Sequence, residues 1–258
     1  MTFQEKLNKI IKKNRSLLCV GLDSDIYKIK GNQLSFNKKI IEATHDLVCS
    51  YKLNTAFYES IGHEGINALK DTCDYLKQKY PEIPIIIDAK RGDIGNTNKG
   101  YVQFVFIYLS ADAVTVHPYL GGEAISPFLE CKDKGIIILC RTSNPGAGEF
   151  QDLKAGNVPL YKIIAKNVAK KWNRNKNCLL VVGATYPDEL RQVRKIVDDM
   201  TLLVPGIGAQ GGDLKETLKA GLNSKRRGLI INSSRGIIFA KNPRQEAEKL
   251  RDSINKLL

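Results

Sequence analysis

Short apolar runs alternate with amphipathic stretches along nearly the whole chain. The runs are continuous in Val, Ile, Leu, Ala and Cys and do not alternate with polar residues, a pattern typical of strands buried on both faces. This pattern predicts strands at residues 17–22, 49–53, 83–87, 113–116, 136–140, 178–182, 201–204 and 229–231. The segments between them carry apolar residues at helical spacing, and the clearest predict helices at 36–48, 64–79, 98–109, 160–172 and 188–197.

Eight strand and helix repeats in 258 residues fit one closed parallel barrel, whose usual length is about 250 residues. We therefore predict an α/β fold, a single-domain (β/α)8 TIM barrel over residues 1–258. Residues 1–14 are predicted to form a short helix that packs on the barrel, because Phe3, Leu7 and Ile10 recur at helical spacing. A doubly wound open sheet is the alternative. It would carry a glycine-rich phosphate turn after the first strand, where this chain reads Leu22-Asp-Ser-Asp-Ile26.

The formal net charge of +13 raises the question of nucleic-acid binding. The lysines are spread along the chain without interleaved aromatic residues, which favours a lysine-rich surface that attracts an anionic substrate, with no nucleic-acid partner. Every apolar run is far shorter than the roughly 20 residues that span a membrane, so we expect no membrane association. Glu5 and the early lysines leave no apolar signal region and fit a mitochondrial presequence poorly, so a cytoplasmic location is expected. The six cysteines lack metal-ligand spacing and are predicted to be reduced core thiols.

Candidate chemistry begins at Asp88-Ala-Lys-Arg-Gly-Asp93, directly after the apolar run 83–87. Side chains alternate along a strand, so Asp88 and Lys90 are expected on one side, with Asp93 beyond the strand in the next loop. Taken alone, the motif also fits a structural ion pair at a strand end. Its position at the carboxyl end of a barrel strand, where such enzymes place their active sites, favours a catalytic role.

Two later segments suggest a phosphate site. Pro205-Gly-Ile-Gly-Ala-Gln-Gly-Gly-Asp213 follows the seventh run, and its glycines allow backbone amides to approach an anion closely. Asn232-Ser-Ser-Arg-Gly236 follows the eighth run and offers the forked guanidinium of Arg235. In a TIM barrel, the loops after strands seven and eight frequently bind phosphate, so the two segments together indicate a phosphorylated small-molecule substrate.

Further polar residues close the other strands: Asp23, Lys52, Asn54, His117 and the run Thr142-Ser-Asn144. With Asp88-x-Lys90-x-x-Asp93-Ile-Gly-Asn-Thr97 and both phosphate segments in order, the sequence from about Leu17 to Phe239 closely resembles the orotidine 5'-phosphate decarboxylases. The resemblance implies decarboxylation of orotidine 5'-monophosphate to UMP, the last step of de novo pyrimidine nucleotide synthesis, with no cofactor and no metal.

The resemblance also implies a role for each matching residue. Lys90 would protonate C6 of the pyrimidine, within a charged network that includes Asp88 and Lys52. Asp93 and Thr97 would reach into the neighbouring subunit's site, which makes the active unit a homodimer with shared sites. The remaining matches are substrate contacts: Asp23 and Asn54 for the ribose, Ser143 for the pyrimidine, Pro205 against the ring, and Gln210 and Arg235 for the phosphate. Association with an orotate phosphoribosyltransferase is a further expectation, since some members of the family are fused to one.

Arg91-Gly92 departs from many members of the family, which carry an apolar or aromatic residue and a small residue there; it resembles a recognised subgroup. The resemblance assigns no role to Arg91, His63 or His117. Two other functions stay open at this point. The sugar-phosphate branch of the superfamily shares D-x-K-x-x-D but uses Mg²⁺ on an enediolate. A basic barrel that only binds nucleotides or nucleic acid fits the net charge, but leaves the acidic groups at the anion site unexplained.

Overall fold

A computed structural model of the chain, which describes residues 1–207 and 211–258, contains a closed barrel of parallel strands. We number the barrel strands β1 to β8 in chain order, and β1 pairs with both β2 and β8. Their bounds are Leu18–Gly21, Ser50–Asn54, Ile85–Arg91, Ala113–Val116, Gly135–Arg141, Cys178–Val182, Leu202–Pro205 and Leu229–Ser233. The predicted (β/α)8 architecture is confirmed, and no open sheet with a strand-order reversal is present among the described strands.

The strand predictions match the structure at both ends for β4 and β6. The largest difference is in β3, which continues past the apolar run to Arg91 and so includes Asp88 and Lys90. Its backbone still pairs with β4 there, although the register shifts between Ile87 and Arg91. Hydrophobicity marks where a strand is buried, whereas hydrogen bonding decides where it ends, and the two differ where a strand enters an active site.

Most helices connect consecutive barrel strands, whereas α1 precedes β1 and the last two helices follow β8. In chain order, α1 to α13 are Phe3–Asn14, Gln33–Thr44, Ala56–Glu59, Gly62–Lys79, Gly95–Val102, Gly121–Ala124, Ser126–Leu129, Gly148–Gln151, Leu160–Asn167, Pro187–Val197, Leu214–Gly221, Arg235–Ile238 and Pro243–Asn255. The predicted helices 98–109 and 160–172 each consist of an α-helix followed by a π-helical stretch, Gln103–Tyr108 and Val168–Trp172. A two-stranded hairpin, Lys154–Ala155 with Val158–Pro159, lies in the long connection after β5.

The core is built from the strand side chains and the inward faces of the helices, and its aliphatic residues are almost completely buried. Burying one such side chain contributes about 1.5–3 kcal/mol, so the barrel is a packed core that can support polar side chains at one end. All six cysteines are free, and five of them are buried, as predicted for core thiols. None of the helices in residues 1–207 and 211–258 combines the length and apolar character needed to cross a bilayer.

Helix α1 covers the amino-terminal end of the strands, opposite the predicted site. It begins with a capping box between Thr2 and Glu5, and the Phe3 ring packs against Gly135 at the start of β5. The buried Lys6 ammonium lies 2.9 Å from the carboxylate of Asp112, which also pairs with Lys77 at 2.9 Å. The Asp112 carboxylate accepts a hydrogen bond from the Ile85 amide at 2.8 Å. This acidic group therefore joins α1 and α4 to the first residue of β3.

We predict that Asp112→Ala lowers the free energy of unfolding by about 3–5 kcal/mol, because it leaves a buried ammonium without its partner. Asp46→Ala is the control, since it removes an exposed pair with Arg244 and should cost about 1 kcal/mol or less. Urea denaturation followed by circular dichroism measures both. Equal losses in the two variants would contradict the structural role of Asp112.

Candidate active site

A cavity of about 500 Å³ opens at the carboxyl ends of the barrel strands. That volume lies within the range of small-molecule sites. Of the predicted site residues, the structure places eight on its wall: Asp23, Lys52, Asn54, Asp88, Lys90, Ser143, Pro205 and Arg235. They come from loops and strand ends far apart in sequence, and the closure of the barrel brings them together.

Lys52 is the most buried charged residue of the cavity, with an exposed fraction of 4%. Its ammonium lies 3.0 Å from Asp88 Oδ2 and 3.6 Å from Asp23 Oδ1. Burial by itself lowers the pKa of Lys52, but the carboxylates of Asp23 and Asp88 more than offset this and raise the pKa above its ordinary value. Lys52 is therefore a fixed positive charge between two carboxylates.

Asp88 lies between two ammonium groups. Its Oδ1 accepts hydrogen bonds from Lys90 Nζ at 2.7 Å and from Thr115 Oγ1 at 2.9 Å, while Oδ2 accepts from Lys52. Burial alone would raise the pKa of Asp88, but the two lysines outweigh it and hold the pKa well below the usual range. The carboxylate is ionised at neutral pH, with both of its oxygens occupied by donors.

The backbone at Lys90 is left-handed, with φ of 48°. Such a conformation is unfavourable for a residue with a Cβ atom and is concentrated at functional sites. It occurs where β3 skips register, because Ile87 pairs with Val114 but Arg91 pairs with Val116. Thr115, between those partners, accepts the Lys90 amide at 2.9 Å and also donates to Asp88. The bulge leaves the Lys90 side chain half exposed, at 49%, within the cavity wall.

The loop after β5 forms another part of the wall and is tied to α8. Gln151 accepts the Thr142 amide at 2.8 Å and donates to Thr142 Oγ1 at 2.9 Å. Thr142 Oγ1 in turn donates to Asn144 Oδ1 at 2.7 Å. Ser143, between them, lies so close to Gly183 that a Cβ atom on that glycine would stand 2.7 Å from Ser143. The loop is thus held firmly with Ser143 at the cavity.

The ends of β7 and β8 form the wall predicted to bind phosphate. Arg235 lines the cavity with Asn232 and Ser234, and the side-chain oxygens Asn232 Oδ1 and Ser234 Oγ are buried without a hydrogen-bond partner among residues 1–207 and 211–258. Gly206, directly after the neighbouring strand β7, lines the same wall and has a positive φ of 103°. The predicted contact Gln210 falls outside the described residues. The Arg235 guanidinium and the free Ser234 hydroxyl can both donate to phosphate oxygens, whereas Asn232 Oδ1 can only accept a hydrogen bond.

Asp93 and Thr97 do not reach the cavity of their own chain. The Asp93 backbone is fastened to Asn98, whose Oδ1 accepts the Asp93 amide at 3.0 Å, and Asp93 Oδ1 accepts the Ile94 amide at 2.7 Å. Thr97 is exposed on α5 and lines a shallow groove with Tyr101. Neither residue makes a hydrogen bond or ion pair with Lys90 among the described residues.

The sequence predictions missed two residues of the site. Thr115 binds both Asp88 and Lys90, and its signal was a single polar residue inside the apolar strand 113–116. Gln151 fixes the loop after β5, and its position in a polar stretch gave no signal. Asn54 and Pro205, which were predicted, also line the cavity, and the Asn54 side chain accepts the Ala56 amide at 3.1 Å.

Comparisons with known proteins show which proteins the chain is similar to. A curated orotidine 5'-phosphate decarboxylase from Janthinobacterium sp. (strain Marseille) is 47% identical and is covered over 100% of both chains. The solved Leishmania donovani OMP decarboxylase has a TM-score of 0.93 and 40% identity, with 100% of this chain and 99% of that chain covered. The solved Leishmania donovani UMP synthase also has a TM-score of 0.93, at 41% identity, but the match covers 56% of that longer chain.

A family model described as "Orotidine 5'-phosphate decarboxylase / HUMPS family" matches residues 16–250, which include every strand of the barrel and every charged residue of the cavity. The chain therefore belongs to the orotidine 5'-phosphate decarboxylase / HUMPS family.

Proposed function

We propose that this chain decarboxylates orotidine 5'-monophosphate to UMP without a cofactor, and that Lys90 supplies the proton to C6. The observation that carries the proposal is the Asp23, Lys52, Asp88 and Lys90 network in a cavity that Arg235 also lines. The curated relatives with that activity in their names are 44–49% identical over nearly the whole chain, which supports the same substrate.

The chemistry requires a fixed positive charge. When the bond between C6 and the carboxylate breaks, CO₂ leaves and the electron pair stays on C6 in an orbital in the ring plane, where the ring cannot delocalise it. The Lys90 ammonium stabilises this pair and then donates its proton to it, and solvent restores the ammonium. A charge held in place before the reaction needs no reorganisation in the transition state, which is why electrostatic stabilisation is often the largest contribution.

Asp88 and Lys52 are assigned to orienting Lys90. Asp88 holds the Lys90 ammonium at 2.7 Å and is itself held by Lys52 at 3.0 Å. We assign the departing carboxylate of the substrate to a position beside Asp88. Because Asp88 is ionised, its repulsion of that carboxylate falls as CO₂ leaves as a neutral molecule. Asp23 and Asn54, on the neighbouring strand ends, are assigned to the ribose hydroxyls, with Ser143 and Pro205 assigned to the pyrimidine.

The phosphate is assigned to the donors Arg235 and Ser234. Binding energy from a group remote from the reacting bond can position the substrate and exclude water. Gln210 stays a predicted member of this group.

The sugar-phosphate branch is the second candidate, since the family model covers both activities. One observation favours the decarboxylase. Lys52 already lies between Asp23 and Asp88, at the place where a divalent ion shared by these carboxylates would be expected. Turnover of orotidine 5'-monophosphate in EDTA, with no hexulose phosphate formed from formaldehyde and a pentulose phosphate when Mg²⁺ is present, would decide for the decarboxylase.

We also propose a homodimer with shared sites, supported by a surface beside Asp93 and Thr97. Five large apolar side chains are exposed in this region or in the next connection: Ile94, Ile107, Tyr108, Tyr119 and Leu120. Exposed apolar side chains commonly mark a protein interface where they form one patch, and we assign these five to the interface with a second copy. Packing of a second copy there would bring Asp93 toward the partner's Lys90.

Three finer expectations stay predictions. They are membership of the subgroup with Arg91-Gly92 in the motif, a cytoplasmic location, and association with an orotate phosphoribosyltransferase. The match to part of a chain named UMP synthase supports the last.

We predict that Lys90→Ala lowers kcat by about 1,000-fold or more, because it removes both the fixed charge and the proton donor. UMP binding, measured by calorimetry, should persist. Lys176→Ala is a matched control, since Lys176 is also a lysine with left-handed backbone, at φ of 55°, but lies outside the cavity. Substantial turnover by Lys90→Ala would refute the assignment.

We predict that Arg235→Ala lowers kcat/KM about 10- to 150-fold, the effect of a lost hydrogen bond to a charged group. The defect should nearly vanish with orotidine, which lacks the phosphate. Arg191→Ala serves as control because it removes an exposed guanidinium that pairs with Asp188. An equal defect on both substrates would show that Arg235 does not bind phosphate.

We predict that mixing inactive Asp93→Asn and Lys90→Ala subunits restores about one quarter of the wild-type activity, since half of the random dimers would each carry one intact site. The mixture is refolded or coexpressed and assayed against each variant alone. No recovery, with heterodimers demonstrated by mass spectrometry, would count against shared sites.

A further inference from the structure

Arg91 immediately follows Lys90 and has no role in the proposed reaction. Its guanidinium donates to the Ala89 carbonyl at 3.1 Å and pairs with the carboxylate of Glu59. The same guanidinium lies over the Tyr101 ring, 5.3 Å from its centroid. Arg91 therefore connects β3 with α3, which follows β2, and with α5, which carries Thr97.

These contacts lie on either side of Lys90, whose left-handed backbone conformation is unfavourable. A lysine with positive φ returns to an extended conformation unless its surroundings hold it. The Lys90 amide donates a hydrogen bond to Thr115 Oγ1, and the carbonyl of the preceding Ala89 accepts one from the Arg91 guanidinium. A relaxed strand would restore the regular alternation of side chains and change where the Lys90 ammonium points.

The segment after Lys90 is fixed by a different residue. The His117 amide donates to the Arg91 carbonyl at 3.0 Å, and His117 Nε2 donates to the Gly92 carbonyl at 3.0 Å. A Cβ atom on Gly92 would lie 2.3 Å from that ring, so the turn and the ring are in close contact. Because His117 fixes the backbone of Arg91 and Gly92, loss of the Arg91 side-chain contacts would change the backbone conformation at Ala89 and Lys90.

Glu59 links Arg91 to the strand that carries Lys52, the second lysine of the site. It is the last residue of α3, a short helix that begins two residues after the end of β2. The Thr55 amide in that connection donates to the Asp88 carbonyl at 3.3 Å. The Arg91 and Glu59 pair thus joins the two strand ends that present Lys52 and Lys90.

We propose that Arg91 is a positioning residue, whose bridge from the Ala89 carbonyl to Glu59 holds Lys90 in the left-handed conformation that directs its ammonium to Asp88 and the cavity. The proposal rests on the proposed decarboxylase function. It assigns to Arg91 no contact with the substrate.

The test compares kcat and KM for Arg91→Met, Arg91→Lys, Glu59→Gln and the double variant Arg91→Met/Glu59→Gln. Misplacement of a reacting group by about 1 Å costs up to about 100-fold, so Arg91→Met should lower kcat about 10- to 100-fold, with KM changed less than about threefold. Glu59→Gln, which keeps the shape of the side chain, should lower kcat about threefold to tenfold. Arg91→Lys keeps the positive charge but loses the planar guanidinium with its several N–H donors, so its kcat should lie between those of Arg91→Met and the wild type.

The double variant tests whether the two residues act together. If they form one bridge, its kcat should equal that of Arg91→Met within about twofold, because the effects of coupled residues do not add. Arg244→Met is the matched control: it breaks an arginine pair with Asp46 in which two N–H donors each lie 2.8 Å from a carboxylate oxygen, remote from the cavity. It should leave kcat unchanged, and melting temperatures of all variants separate loss of stability from loss of positioning.

Three results would overturn the proposal. They are a wild-type kcat in Arg91→Met, a large rise in its KM with kcat unchanged, which would make Arg91 a binding group, and independent, additive effects of Arg91→Met and Glu59→Gln. Absence of decarboxylation by the wild-type protein would refute the proposed function instead, so the two failures are distinguishable.

Discussion

The burial of one carboxylate between two ammonium groups organises the active site. An ionised carboxylate cannot be buried without partners, and Asp88 has three: Lys52, Lys90 and Thr115. They come from β2, from β3 itself and from β4. The closed barrel sets these strand ends at fixed separations, so the ion network and the fold determine one another. A shift of any of the three strands would leave a buried charge unpaired, which is far more costly than a lost surface pair.

The apolar pattern predicted the barrel well because each strand is buried on both faces and therefore has a composition distinct from that of the helices. It also predicted the side of the barrel that carries chemistry, since polar residues follow the apolar runs at β1, β2, β3, β5 and β8. The motif around Asp88 and Lys90 was predicted as a cluster, and the 2.7 Å contact between the two is consistent with that.

The pattern could not predict how Lys90 is presented. Lysine has no preference for a left-handed backbone, and the conformation at φ of 48° results from a register shift imposed by β4 and from contacts of Arg91 with distant residues. Thr115 was missed for a related reason. One threonine in an apolar strand usually packs in the core, and its hydrogen bonds to Asp88 and Lys90 depend on which residues the barrel places opposite it. Both features are long-range, whereas sequence periodicity is local.

The distribution of charge along the cavity accounts for substrate orientation in the proposed reaction. Around Lys90, two lysines pair with two carboxylates, so the network in a single chain has no net charge. The wall after β8 presents the Arg235 guanidinium and the unpaired Ser234 hydroxyl, both of which can donate to phosphate oxygens. A substrate with a phosphate dianion and a carboxylate is therefore attracted by its phosphate to Arg235, and its carboxylate is left against a region that does not stabilise it. If Asp93 of a partner subunit joins the network, that region becomes net negative, and the contrast between binding the phosphate and expelling CO₂ increases further.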